Sequence, residues 1–162
     1  MARAQRQARA GVLACAKYSF PSIPPVDSIV AEYTSFARGF DCPDADGRCA
    51  WAEGTLWVGH YRERRIYQVE PESGAILRTI ESNRFVTGVT WVDGELWHAT
   101  WEGEESELRR IAPQTGEVLE CVEMPPGVGI SGLESDGGER FFCGGGNSGK
   151  VRAVRRPRSA AS

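Results

Sequence analysis

Gly88-Val-Thr-Trp91-Val-Asp93-Gly94-Glu-Leu96-Trp97 reads as a hairpin, and the chain contains the pattern twice. Residues 48–57, Arg48-Cys-Ala-Trp51-Ala-Glu53-Gly54-Thr-Leu56-Trp57, lie on it without a gap at an offset of 40 residues. An acidic residue followed by Gly, between two short apolar runs, suits a two-residue type I′ turn, whose twist matches that of the strands it joins. A second hairpin follows each copy. Arg65 to Glu70 and Glu107 to Ala112 read as third strands, and Ala75 to Ile80 and Glu117 to Met124 as fourth strands. Pro71-Glu-Ser-Gly74 and Pro113-Gln-Thr-Gly116 are the turns between them. A weaker third copy starts at Gly129, with Asp136-Gly-Gly-Glu139 as a longer turn and Phe141-Phe142 where Leu96-Trp97 stand. Four short antiparallel strands per ~40 residues is the period of a β-propeller blade.

The reading is therefore all-β, a propeller with three four-stranded blades per chain over 48–80, 88–124 and 129–157. Trp51, Trp57, Trp91 and Trp97 are read as its repeating core. Residues 1–27 read as a flexible, basic, proline-punctuated extension. Its apolar run from Gly11 to Ala16 is shorter than the ~7–15 residues of a signal-peptide core. Residues 28–36 read as a lone strand that opens the propeller domain of 28–157, and 158–162 as a tail.

The third copy lacks a fourth strand, which the lone strand 28–36 could supply. Three blades do not close a ring, because propellers have about 4–8. The expectation is a homodimer with six blades around one axis.

Among 162 residues the net charge is −3, which argues against wholesale nucleic-acid binding. No stretch approaches the ~18 apolar residues of a bilayer span. Cys15, Cys42, Cys49, Cys121 and Cys143 are odd in number and contain no CxxC pair. They are expected as thiols of a cytoplasmic protein, although Cys42 and Cys49 could bridge a loop. No metal or cofactor is assigned.

The motif Gly-x-x-Trp-x-[Asp/Glu]-Gly-x-Leu-Trp, with the later Pro-x-[Ser/Thr]-Gly turn, resembles the bacterial propeller superfamily of glutamine cyclotransferases, virginiamycin B lyases and gluconolactonase-like proteins. The resemblance covers roughly residues 28–157, and Gly88-Val-Thr-Trp91 with Leu96-Trp97 and Trp101 places the cyclotransferase group nearest. It implies a propeller enzyme that acts on a small polar molecule or peptide terminus at the mouth of the central channel. The cyclotransferase reaction closes an N-terminal pyroglutamyl ring with loss of ammonia. The alternatives are a propeller that binds a ligand or protein without catalysis, and a metal-dependent lactonase-like hydrolase. Cyclotransferases place a Glu shortly after the Leu-aromatic pair, where this chain has Val58-Gly59 and His98-Ala99.

The residues that would face the mouth lie in the connections between second and third strands and between fourth and first. His60 and Glu102 are the candidate catalytic pair. An imidazole titrates near neutrality and suits a general base, and a carboxylate can serve as its partner. Arg48, Tyr61, Arg62, Arg84, Trp101 and Asn147 are the candidate substrate-binding residues. Arg48 stands out because Gly88 and Gly132 hold the equivalent places. A repeat broken by a large cation is a place to look for function. His98, inside a strand, is expected to be packed. Gly144-Gly-Gly-Asn-Ser-Gly-Lys150 is not a phosphate loop, since a strand and not a helix follows it.

Overall fold

The computed structural model describes residues 48–145 and 148–157. The expected strand 28–36, the tail 158–162 and Asn147 lie outside the described residues.

Among the described residues eleven strands run in order: β1 (Arg48–Ala52), β2 (Thr55–His60), β3 (Arg65–Val69), β4 (Ile76–Glu81), β5 (Val86–Val92), β6 (Glu95–Glu102), β7 (Glu105–Ile111), β8 (Val118–Glu123), β9 (Gly132–Ser135), β10 (Arg140–Gly144) and β11 (Val151–Arg155). They form antiparallel meanders ordered β1-β2-β3-β4, β5-β6-β7-β8 and β9-β10-β11. Sheets of this kind, stacked face to face with their first strands innermost, are propeller blades.

Turn chemistry sets the registers. Glu53 and Gly54 have φ of 50° and 77°, and Asp93 and Gly94 have 51° and 79°, the paired positive values that a type I′ turn requires. At the turns between third and fourth strands, Gly74 N–H donates to the Glu70 carbonyl at 2.9 Å and Gly116 N–H to the Ala112 carbonyl at 2.8 Å. Their φ values of 74° and 78° explain why glycine closes both.

Alternation along each strand gives every blade two faces. On the first blade, Ala50, Ala52, Trp57, Ile66 and Ile80 point toward the second and meet Val86, Val89, Leu96 and Ile111. Trp57 stacks on Trp91 at 6.1 Å and 15°. The second blade turns Val92, Trp97, Ala99 and Leu108 toward Ile130, Leu133, Phe141 and Cys143 of the third. Here Trp97 meets Phe141 at 4.9 Å. Covered on both sides, β5 is buried at all but one position. The outer strands β4 and β8 are largely exposed.

The blades approach closely where a glycine stands. A Cβ on Gly88 would lie 2.7 Å from both Leu133 Cβ and the Leu133 backbone nitrogen. Backbone cannot move aside cheaply, so Gly88→Ala is expected to destabilise the fold by about 1–3 kcal/mol, the usual cost of overpacking. Denaturant unfolding of the pure protein would show it, and an unchanged midpoint would refute the contact.

Three expectations need correction. Trp51 is not core: it is 52% exposed, because no blade covers its face among the described residues. The connection expected to carry Trp101 and Glu102, ahead of the third strand read from Glu107, is mostly strand. Trp101 pairs with Ser106 and Glu102 with Glu105, and Gly103, at φ 63°, allows the tight turn between them. The third copy's first strand begins at Gly132, not Gly129. Cys121 and Cys143 are free thiols, one exposed and one buried. Burial pushes the Cys143 thiol up to about 11.

Candidate functional site

The antiparallel registers bring one set of strand ends to one rim of the arc. Arg48 opposes Gly59, Val86 opposes Thr100, and Gly132 opposes Gly144. First strands start and second strands finish at this rim, so it gathers the connections expected to carry function.

Arg48 starts β1 and reaches across the rim. Its Nε donates to the Ser131 carbonyl and its Nη1 to the Val86 carbonyl, both at 3.3 Å. Val86 begins β5, and Ser131 immediately precedes β9. One cation therefore ties together the starts of all the described inner strands. At Gly88 and Gly132 there is no side chain to make such a bridge, so the break in the repeat has a structural use.

The same guanidinium stands 5.3 Å from the centre of the Tyr61 ring. Tyr61 stacks on Phe85 at 4.6 Å and 17°. Arg64 covers the Phe85 ring at 4.3 Å. The result is a ladder of cation, ring, ring and cation drawn from β1, the β2–β3 turn and the β4–β5 connection. Each cation–ring contact contributes about 0.5–1 kcal/mol at such exposed places. Arg64 holds the far end by donating to the Asn83 carbonyl at 3.0 Å and to Glu102 Oε1 at 2.7 Å. Arg64 itself has a φ of 55°, which the tight β2–β3 turn imposes.

Arg48, Tyr61 and Glu102 of the sequence candidates thus join one assembly through Phe85 and Arg64. The others have different surroundings. His60 Nδ1 accepts the Glu63 N–H at 3.2 Å, and its ring meets Tyr67 edge-on at 6.5 Å. The Tyr67 hydroxyl donates to the Glu63 carboxylate. That hydrogen bond, ahead of the opposing effect of burial, holds the Glu63 carboxyl below its ordinary range. His60 therefore belongs to a cluster with Glu63 and Tyr67, and among the described residues it shares no partner with Glu102. Arg84 bonds Glu105 at 2.6 Å and lies 3.5 Å from Glu107. The Glu105 hydrogen bond raises the Arg84 guanidinium above its ordinary value. Trp101 lies against Gly129, where a Cβ would come within 2.8 Å of the indole, and its Nε1 donates to the Gly103 carbonyl at 2.9 Å. Arg62 is exposed on the turn that carries Tyr61.

One residue escaped the sequence reading. Glu134 stands where Ala50 and Thr90 stand on the other inner strands. The residue is exposed overall, and partial desolvation of its carboxyl raises it above the ordinary range, against donors from Ser135 N–H and Thr90 Oγ1. The signal in the sequence was a charge at an otherwise small, uncharged repeat position. Among the described residues no group of three or more His, Cys, Asp or Glu could hold a metal ion. No helix among them is long and apolar enough to cross a membrane.

No protein-family model matches the chain. Regucalcin of Xenopus laevis is 26% identical over 93 residues, which span 54% of this chain and 30% of that protein. Glutaminyl cyclase of Myxococcus xanthus superposes with a TM-score of 0.56 at 15% identity, over 67% of this chain and 47% of that one. Hydrazine synthase of Kuenenia stuttgartiensis gives a TM-score of 0.52 at 12% identity, over 67% and 32%. The chain spans less than half the length of each of these proteins. Its stacked antiparallel meanders, two of four strands and one of three among the described residues, and these structural similarities show that the chain has a β-propeller fold.

Proposed function

We propose that the rim built on Arg48, Tyr61, Phe85, Arg64 and Glu102 binds a small polar molecule or a peptide terminus bearing a carboxylate. The observation that carries this reading is the ladder itself. Two guanidinium groups and two stacked rings at the channel mouth form a rigid surface of cation and aromatic faces, a chemistry that suits carboxylates and planar polar groups. Tyr61 presents both a ring and a hydroxyl there, and Glu102 holds Arg64 in place.

The test is calorimetric titration of the full chain with a panel of short carboxylates, an N-terminal glutaminyl tripeptide and a C-terminal carboxylate tripeptide. The expected result is saturable binding of at least one, weakened at least tenfold in both Arg48→Met and Tyr61→Leu, with the circular dichroism spectrum retained. Binding that ignores both substitutions, or no saturable heat from any probe, overturns the proposal.

Cyclotransferase activity is the second reading, favoured by the structural likeness to glutaminyl cyclase. It would require His60 and Glu102 to act on one substrate, although each holds different partners here. Ammonia release from the glutaminyl tripeptide, abolished in His60→Ala and in Glu102→Gln, would establish it.

A further inference from the structure

Arg48 and Arg64 end the same ladder, and their hydrogen bonds differ in kind. Arg48 donates to the backbone carbonyls of Ser131 and Val86, which belong to the framework and cannot leave. Arg64 donates to one such carbonyl, that of Asn83, at 3.0 Å, and to one side chain, Glu102, at 2.7 Å. The Glu102 pairing joins one nitrogen to one oxygen, Nη2 to Oε1, and lacks the two-pronged fork that makes an Arg–carboxylate pair strong. The two side chains are 37% and 38% exposed. An ion pair this open to water is weak, and its members exchange readily with solvent ions. The neighbouring cations show the contrast. Arg84 lies against both Glu105 and Glu107, and Arg109 is shared between Glu107 and Asn83 Oδ1. Both are better shielded than Arg64, whose side chain has a single acidic partner among the described residues.

Arg64 also keeps its place without Glu102. Its guanidinium covers the Phe85 ring at 4.3 Å, Phe85 is stacked on Tyr61, and Nη1 is fixed on the Asn83 carbonyl. Its backbone is pinned as well. The Arg64 N–H donates to the Tyr61 carbonyl at 3.2 Å, and the Arg64 carbonyl accepts the Ser82 N–H at 2.7 Å. A guanidinium held by a ring, a carbonyl and a turn, with its other nitrogen on an exposed carboxylate, is a formed anion site with an internal occupant.

We propose that Arg64 is the group that receives the carboxylate of an incoming ligand, and that Glu102 is a built-in stand-in for that carboxylate, displaced when the ligand binds. The inference rests on the reading of the rim as a carboxylate-binding surface, and adds which cation takes the anion and what competes for it. Arg48 then serves the rim by tying the inner strands together beside Tyr61. The consequence has a sign. A residue that only positioned Arg64, or that acted on the substrate, would weaken binding or turnover when its charge is removed. Removing a competitor does the opposite, because the fraction of Arg64 open to the ligand rises.

The test is NMR of the arginine Nε–Hε groups in the isotope-labelled full chain, titrated at constant ionic strength with acetate and with triglycine, and with triglycine amide as the control that lacks the carboxylate. The Arg64 signal is identified as the one lost in Arg64→Asn, since Arg64 has a φ of 55° and asparagine tolerates such a backbone. The expected result is a saturable shift of the Arg64 signal with triglycine and none with its amide. Affinity is expected to rise about threefold or more in Glu102→Gln, the factor by which an exposed ion pair competes. Glu104→Gln removes the same charge from the adjoining turn without releasing Arg64, and is expected to change affinity by less than about twofold. Equal gains in the two variants would reduce the effect to general electrostatics and overturn the proposal. Weaker binding in Glu102→Gln, or a saturable shift confined to Arg48, would also overturn it while leaving the carboxylate reading of the rim in place. No saturable response of any arginine to acetate or triglycine, in either the parent chain or Glu102→Gln, overturns that reading together with this one.

Discussion

Trp97→Ala is expected to destabilise the fold by about 3–5 kcal/mol, enough to unfold much of a marginally stable domain at ambient temperature. The indole is fully buried between the second and third blades and lies 4.9 Å from Phe141. Val92, Ala99, Leu108 and Leu133 belong to the same cluster. Strands from two sheets surround the position, so little backbone can relax into the space left behind. The Trp97 Nε1 also donates to Glu95 Oε2 at 2.9 Å, a hydrogen bond that the substitution removes. Leu119→Ala is the control. Leu119 sits on the outer strand β8 and is 49% exposed, so its truncation should cost well under about 1 kcal/mol. Urea unfolding followed by tryptophan fluorescence and by circular dichroism separates the two outcomes. A Trp97→Ala protein as stable as the Leu119→Ala protein would mean that the blades do not pack as described.

Acidification is expected to reveal His98. The imidazole is 2% exposed on the face of the second blade that meets the first. Burial, reinforced by the neighbouring Arg109 charge, lowers it to about 3. Its Nδ1 is buried without a hydrogen-bond partner among the described residues. Arg109 is held in place by Glu107 at 2.6 Å and by Asn83 Oδ1 at 2.6 Å, so the cation beside His98 is fixed. In the unfolded chain the same imidazole titrates near 6.5. Between these values the unfolded state binds a proton that the folded state refuses, so stability falls as the pH is lowered below about 6.5. The slope approaches about 1.4 kcal/mol per pH unit, which amounts to about 2 kcal/mol lost between pH 6.5 and 4.5. His98→Phe keeps a ring of similar size and removes the proton. Its unfolding free energy, measured over the same interval, should lack this component. Parallel pH profiles for the two proteins would refute the assignment.

Much of the architecture was legible because the information is local. Glu53-Gly54 and Asp93-Gly94 demand positive φ at successive residues, and few backbones other than a tight hairpin provide it. Gly74 and Gly116 close their turns for the same reason. Alternation of apolar residues then assigns faces. The strand pairs follow in order, since short turns permit only neighbouring antiparallel strands. The strands around Trp101 and Glu102 were misread because a polar run with one glycine looks like a loop. Only the ladder of β6 with β7 shows that it stays paired.

The candidate site was legible in part. Arg48 could be picked out because it broke a repeat. Its partners could not, since they are carbonyl groups 38 and 83 residues away. Phe85 and Arg64 fall in connections read as facing the mouth, and only the folded structure shows that stacking sets them between Tyr61 and Glu102. His60 and Glu102 looked like a pair by residue type, and each instead has its own neighbours.

Trp51 and Trp91 show where the boundary lies. They occupy the same place in the same hairpin, and nothing in either stretch distinguishes them. Trp91 stacks on Trp57, and Trp51 is 52% exposed. Hairpins, turns, strand order and the propeller class could be derived from the chain alone, because each depends on residues within a few positions of one another. Which faces are covered, and what surrounds Arg48 at the rim, depends on blades that meet across the arc. Burial belongs to pairs of surfaces, so only the folded structure decides it.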